Sequence, residues 1–235
     1  MALTLHHAHP WQLTPQQAAE LQNTLRGLVK VEPLPATVQR IGGLDVGFRG
    51  DRARAAVAVL AYPSMQPLEQ VVVETTVRFP YIPGLLSFRE LPALLAALEQ
   101  LSDLPDVLLA DGHGTAHPRR FGLASHLGLL LDRPSIGCAK SVLVGSFERL
   151  REAAGSTAEL RDEGELIGMA LRSRPGSRPL IVSIGHRADL PGAVQLVLAC
   201  TRGHRLPEPA RLAHQLTTRQ ATARRLAAGA ASCRA

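Results

Sequence analysis

Asp45 stands inside an otherwise apolar stretch, GGLDVGF, and Asp111 closes a second one, DVLLAD. A carboxylate buried without a partner is costly, so each needs a cation, a proton or a hydrogen-bond donor. If the two stretches are neighbouring strands, both acids reach one edge of a sheet. There they repel each other unless a proton or a cation lies between them. Oxygen donors of this kind suit Mg²⁺ or Mn²⁺ better than zinc. A satisfied core aspartate or a strand-end cap is the structural alternative for Asp45. Asp111 opens into DGHGTAHPRR, with His113 and His117 four residues apart. Zinc takes histidine pairs, but no cysteine is near, and the glycines and proline argue against a continuous helix. Acid–base work, phosphate contact and a structural loop stay open for these histidines. Arg119 and Arg120 follow directly and could touch phosphates.

Glu90 is a third acid. Ser87-Phe88-Arg89-Glu90 has the form of a capping box. A helix begun there would carry Pro92 in its interior, deleting a hydrogen bond and crowding a carbonyl. A helix beginning near Pro92 leaves Glu90 free, and we read it as catalytic. Upstream lies PYIPG, residues 80–84, which holds one of only two tyrosines in 235 residues. Proline fixes its own φ and restricts the residue before it, so the loop is stiff. Tyr81 and Ile82 are then either an awkward corner of the core or a rigid wedge for something outside. Lys30 and Lys140 are the only lysines in a chain that otherwise uses arginine. Their difference in shape and hydration hints that position 140 needs a compact ammonium.

These residues need a frame. The chain is 46% hydrophobic, which excludes disorder over most of its length, and no apolar run is long enough to span a bilayer. The start, MALTLHHAHPWQ, lacks the pattern of a secretory signal. Three cysteines, far apart and odd in number, suit a reducing compartment, so the expected location is cytoplasmic. A net charge of +6 suits a polyanionic partner, although a basic composition alone would produce it too. Thr14-Pro15-Gln16-Gln17 reads as a capped helix start running to about residue 29. Three strands are expected at 38–48, 53–62 and 70–79, joined as a meander. Helices are expected at 91–101, 119–131, 192–201 and 209–216, and further strands at 106–111, 135–139 and 180–184. The polar segment 149–176 reads as a surface excursion. The fold class is α/β, a mixed sheet covered by helices, with the first strand central and beside the strand that ends at Asp111.

Taken in order, DVGF around Asp45, PYIPGLLSFRE at 80–90, DGHGTAHPRR at 111–120, Lys140 at a strand end and RLPEPARLAH up to His214 resemble the endonuclease V family. The resemblance covers about residues 15–216. It implies an RNase H-like mixed five-stranded sheet flanked by helices, forming a single catalytic domain over 14–216. Residues 1–13 would be a flexible N-terminal extension, and 217–235 an Arg/Ala-rich tail, frayed or disordered. The implied activity is cleavage of DNA at deoxyinosine, at the second phosphodiester bond 3′ of the lesion, with Mg²⁺, Mn²⁺ also serving. Inosine-containing RNA is the alternative substrate, and a catalytically silent nucleic-acid-binding module is a rival of another class. By the same resemblance Asp45, Asp111 and Glu90 would be metal ligands, with His214 an active-site partner. His117 and Lys140 would act on the scissile phosphate or the attacking water. Tyr81, with Ile82 and Pro83, would form the lesion wedge. Gly112, His113, Gly114, Arg119 and Arg120 would line a base pocket or touch phosphate. No protein partner is implied, and no membrane.

Overall fold

A computed structural model describes residues 2–218. Alternation of side chains across extended backbone explains the architecture. In β1 (Arg40–Arg49), Ile41 and Leu44 are fully buried but belong to two different apolar clusters, one on each face of the sheet. The same division splits Val107 and Leu109 from Leu108 and Ala110 in β4 (Val107–Ala110). A strand buried on both faces must be covered on both. Helices α2 (Leu86–Leu98) and α3 (Leu123–Leu131) cover one face, and α4 (Leu190–Ala199) and α5 (Glu208–Thr218) the other. The neighbouring strand β2 (Arg52–Ala61) places Ala53, Ala55, Ala56 and Ala58 at the two interfaces, so the covering helices approach closely.

The sheet has nine strands in the order β3-β2-β1-β4-β5-β9-β8-β7-β6. β3 is Pro67–Thr76, β5 Ser135–Ala139, β6 Ser146–Phe147, β7 Thr157–Asp162, β8 Glu165–Leu171 and β9 Leu180–His186. β1, β4 and β5 run parallel, and every other pairing is antiparallel. The expected central place of β1 beside β4 is observed. The expected count of five strands is too low. The polar segment beyond 149 pairs as the β7–β8 hairpin, which extends the sheet through β9. Its outer strand β7 is largely exposed, which hid it from a search for apolar runs.

Helix α1 (Pro15–Leu25) starts as its residues require: Thr14 accepts from the Gln17 amide, and the Gln17 side chain returns to the Thr14 amide. Helix α2 corrects an expectation. It begins at Leu86 and carries Pro92 inside. Pro92 is tolerated there because it sits on the exposed side of the helix, while its neighbours Leu91, Ala93, Leu94 and Leu95 are buried. The alternative reading of Ser87 as a helix cap does not hold either; its hydroxyl bonds Nδ1 of the buried His126 at 3.0 Å. α3 begins at Leu123 rather than 119, since Arg120 has a left-handed φ of 56°. The opening segment, expected as a loose extension, lies against the core through Leu3, Leu5 and Trp11, and His9 reaches His126 Nε2 at 2.7 Å. α5 continues through Thr218, two residues into the stretch assigned to a tail; residues 219–235 of that tail lie outside the described ones. Among the described residues no helix is long and apolar enough to cross a membrane.

Candidate active site

The pairing of β1 with β4 ends at Leu44 and Ala110. The next residue on each strand is an aspartate, and the Asp111 amide donates to the Leu44 carbonyl at 3.0 Å. Asp45, still paired with β2, and Asp111 therefore stand side by side where the β1–β4 ladder ends. β5 is the next strand over, and Lys140 follows its last residue, placing Nζ 2.5 Å from Asp111 Oδ2. Helix α5 comes from the other direction. A Cβ at Gly43 would lie 1.9 Å from the Pro209 carbonyl carbon, so only glycine lets the helix backbone rest on β1. That contact sets His214 Nδ1 3.0 Å from Asp45 Oδ2 and the Thr217 hydroxyl 2.5 Å from the same oxygen.

Donor atoms of Asp45, Asp111 and His214 lie within 4.8 Å of one another. His214 Nδ1 also stands 3.4 Å from Lys140 Nζ. One ring nitrogen cannot donate to a carboxylate and accept from an ammonium at once. Two carboxylates and an imidazole nitrogen at this spacing are a donor set that fits a divalent cation with mixed oxygen and nitrogen ligands. Glu90, expected as the third ligand, stands outside that trio. It projects from α2 with a narrow opening to solvent and makes no hydrogen bond among the described residues. Burial, then the nearby charges of Asp45 and Asp111, push its carboxyl up to about 8, against a smaller opposing pull from Arg89. Burial also raises Asp111, which the Lys140 ammonium partly offsets. Arg89 faces away, its guanidinium over the Phe48 ring at 4.5 Å and its Nη1 donating to the Phe79 carbonyl at 2.6 Å.

The loop after Asp111 is a bracket more than a set of free groups. His117 is buried, donates through Nε2 to the Gly84 carbonyl at 2.9 Å and accepts the Arg119 amide on Nδ1 at 3.1 Å. Both ring nitrogens are committed, and burial lowers its pKa to about 4. The geometry therefore makes it a pin between the loop and PYIPG, not a group facing a phosphate. Arg119 binds Gln22 and the Gly84 carbonyl, and Arg120 binds Glu165, Asp162 and the His117 carbonyl. Neither guanidinium is held toward the acids. Gly114 packs on the sheet: a Cβ there would sit 1.9 Å from the Ile184 carbonyl oxygen, so the glycine lets the loop lie on β9. Gly112 and His113 do line the recess in front of the acids, with His113 Nε2 on the Ser141 carbonyl at 2.9 Å.

That recess has a volume of about 210 Å³ and lies between Glu90 and Asp111 on one side and Tyr81 and Pro83 on the other, with Val142 and Leu143 at its rim. Tyr81 is 69% exposed, which removes the reading of it as a core residue. Ile82 instead packs against Phe79, Leu85 and Phe88, so it anchors the loop, and Pro83 is exposed beside the ring. Gly84 turns the chain with φ 78°. Thr217 was not among the expected site residues. An alanine- and arginine-rich tail gives no pattern that marks one threonine, and only the contact of α5 with Gly43 and Gly47 reveals it.

A sequence profile of endonuclease V matches residues 23–215. Endonuclease V of Gloeobacter violaceus is 53% identical over 211 residues, covering 88% of this chain and 86% of that protein. The crystal structure of endonuclease V from Streptomyces avermitilis superposes with a TM-score of 0.84 at 42% identity, over 88% of this chain and 92% of that one. A Ciona intestinalis endonuclease V variant, solved with a 23mer DNA containing an inosine followed by a ribo-adenosine, gives a TM-score of 0.78 at 28% identity, over 87% and 97%.

Proposed function

Since the chain belongs to the endonuclease V family, we propose that it is a divalent-metal-dependent endonuclease that recognises deoxyinosine in DNA and hydrolyses the second phosphodiester bond 3′ to it. The observation that carries this reading is the convergence of Asp45, Asp111 and His214 beside a recess lipped by an exposed, stiffly held tyrosine. The cation, Mg²⁺ or Mn²⁺ by the hard donor set, would be held by the trio and would supply Lewis acidity and charge neutralisation for phosphodiester hydrolysis. The chain's own groups do the rest. Lys140, fixed by Asp111, offers an ammonium beside the scissile phosphate. Glu90, whose carboxyl burial and the two aspartates raise to about 8 in the absence of a cation, stands next to the same acids. A site that acts at a base takes that base out of the stack. The recess is smaller than the ~300–1,000 Å³ of sites for drug-sized ligands, which suits a single base. The Tyr81 ring would replace the lost stacking, a contact of about 1–3 kcal/mol.

The intact set of acids and lysine argues against a silent binding module. The buried free cysteines Cys138 and Cys200 fit a reducing compartment, in keeping with a cytoplasmic enzyme. The ribo-adenosine beside the inosine in the Ciona complex keeps inosine-containing RNA as a second substrate. A nicking assay in Mg²⁺ on inosine-containing duplex DNA, single-stranded DNA and RNA tests the proposal. Cutting of inosine DNA, absent without the cation and absent in Asp45→Asn, is the expected result. Equal cutting of undamaged DNA, or full activity of Asp45→Asn, would overturn it.

A further inference from the structure

Thr217 is 5% exposed on the inner face of α5, opposite Asp45. Its place depends on β1: a Cβ at Gly47 would press on Thr217 Cβ at 3.3 Å, so the glycine leaves room for the threonine. The hydroxyl has one proton and two acceptors in reach, Asp45 Oδ2 at 2.5 Å and the His214 carbonyl at 2.9 Å. The carbonyl contact is the ordinary back-bond of a threonine within a helix. The carboxylate contact is shorter and charge-assisted, so the proton goes there.

We propose that Thr217 is a positioning residue of the cation site: its hydroxyl fixes the Asp45 carboxylate and thereby sets the affinity for the metal. The inference rests on the metal-centre reading above. Oδ2 of Asp45 has two neighbours that could donate to it, His214 Nδ1 and Thr217 Oγ1. A ring nitrogen used as a metal ligand has no hydrogen to give. Thr217 is then the donor that still holds the carboxylate in place. Groups that orient a ligand in this way commonly change metal affinity by about 10–100-fold when removed.

The test measures Mn²⁺ binding to the full chain by calorimetry, without nucleic acid, for the parent, Thr217→Val, Thr217→Ser and Thr217→Ala. Valine keeps the shape without the hydroxyl, and serine keeps the hydroxyl. We expect Kd for Mn²⁺ to rise about 10–100-fold in Thr217→Val and to stay near the parent in Thr217→Ser. Nicking by Thr217→Val should need more Mg²⁺ for half-saturation yet reach a similar kcat. If valine prevents folding, Thr217→Ala carries the same expectation. Parental Mn²⁺ affinity in the valine or alanine variant overturns the inference, as does serine binding no better than valine. A parent that binds no Mn²⁺ overturns the metal-centre reading as well, which separates the two failures.

Discussion

Glu90 stands where its charge is least welcome, and that should show in the stability of the metal-free protein. In the unfolded chain it ionises near 4.5; in the fold, burial and two neighbouring aspartates raise this to about 8. Between those values the folded state holds a proton that the unfolded state has lost, so stability falls as pH rises through the interval. At about 1.36 kcal/mol per pKa unit, the rise from 4.5 to about 8 amounts to ~5 kcal/mol once the pH passes both values. The side chain's opening to solvent lets water and ions relieve part of this, so ~5 kcal/mol is a ceiling. Glu90→Gln keeps the shape and carries no charge. In EDTA at pH 8 it should therefore melt higher than the parent, and a gain of only about 1 kcal/mol moves Tm by about 2–4 °C in a domain of this size. At pH 5 the two should nearly coincide. Added Mn²⁺ should raise the parent's Tm more than the variant's and narrow the difference at pH 8. Thermal melts at the two pH values, with and without cation, decide it. A variant that melts at or below the parent at pH 8 in EDTA would refute the reasoning, because Glu90 would then be a stabilising, ionised group.

Other residues give shorter tests. Tyr81→Ala should weaken binding to inosine-containing DNA, by up to about 1–3 kcal/mol, with Tm unchanged because the ring is 69% exposed; a drop in Tm with unchanged affinity would return it to the core. His117→Ala should lower Tm and activity together, since the Arg119 amide loses its acceptor at a cost of about 1–3 kcal/mol and the Gly84 carbonyl keeps only the Arg119 side chain. Lost turnover at parental Tm would instead place His117 in the chemistry. Gly43→Ala should shift α5 off β1, lowering both Tm and Mn²⁺ affinity, because its Cβ would meet the Pro209 backbone at 1.9 Å; a well-folded variant with parental affinity would contradict the packing argument.

The acids are legible because a charge in an apolar strand demands an explanation: Asp45 stands inside one such stretch and Asp111 closes another. Their adjacency followed from the parallel pairing of β1 with β4. Glu90 stands out in the sequence for a reason the structure reverses: Pro92 argues for a helix that starts beside it, yet α2 includes it, on its exposed side. The basic and glycine-rich loop at 111–120 misled more. Arginines and glycines beside an active site look like phosphate and base contacts, but Arg119, Arg120 and Gly114 are used up in holding the loop. Sequence spacing shows which residues are near one another, not which partners they have already taken. Thr217 was illegible for the opposite reason, since its meaning depends on Gly43 and Gly47 far upstream.

Asp45 and His214 are 169 residues apart in the chain, and Thr217 lies further on. The helix that carries them settles against a strand made among the first. Chains are synthesised from the N-terminus, so β1, α2, β4 and β5, with Asp45, Glu90, Asp111 and Lys140 on or just beyond them, are made while the imidazole and the hydroxyl are still to come. The protein is thus a cutting tool whose last part is fitted at the end of its own manufacture. A chain that stops before α5 has both aspartates but lacks the imidazole and the hydroxyl that meet Asp45.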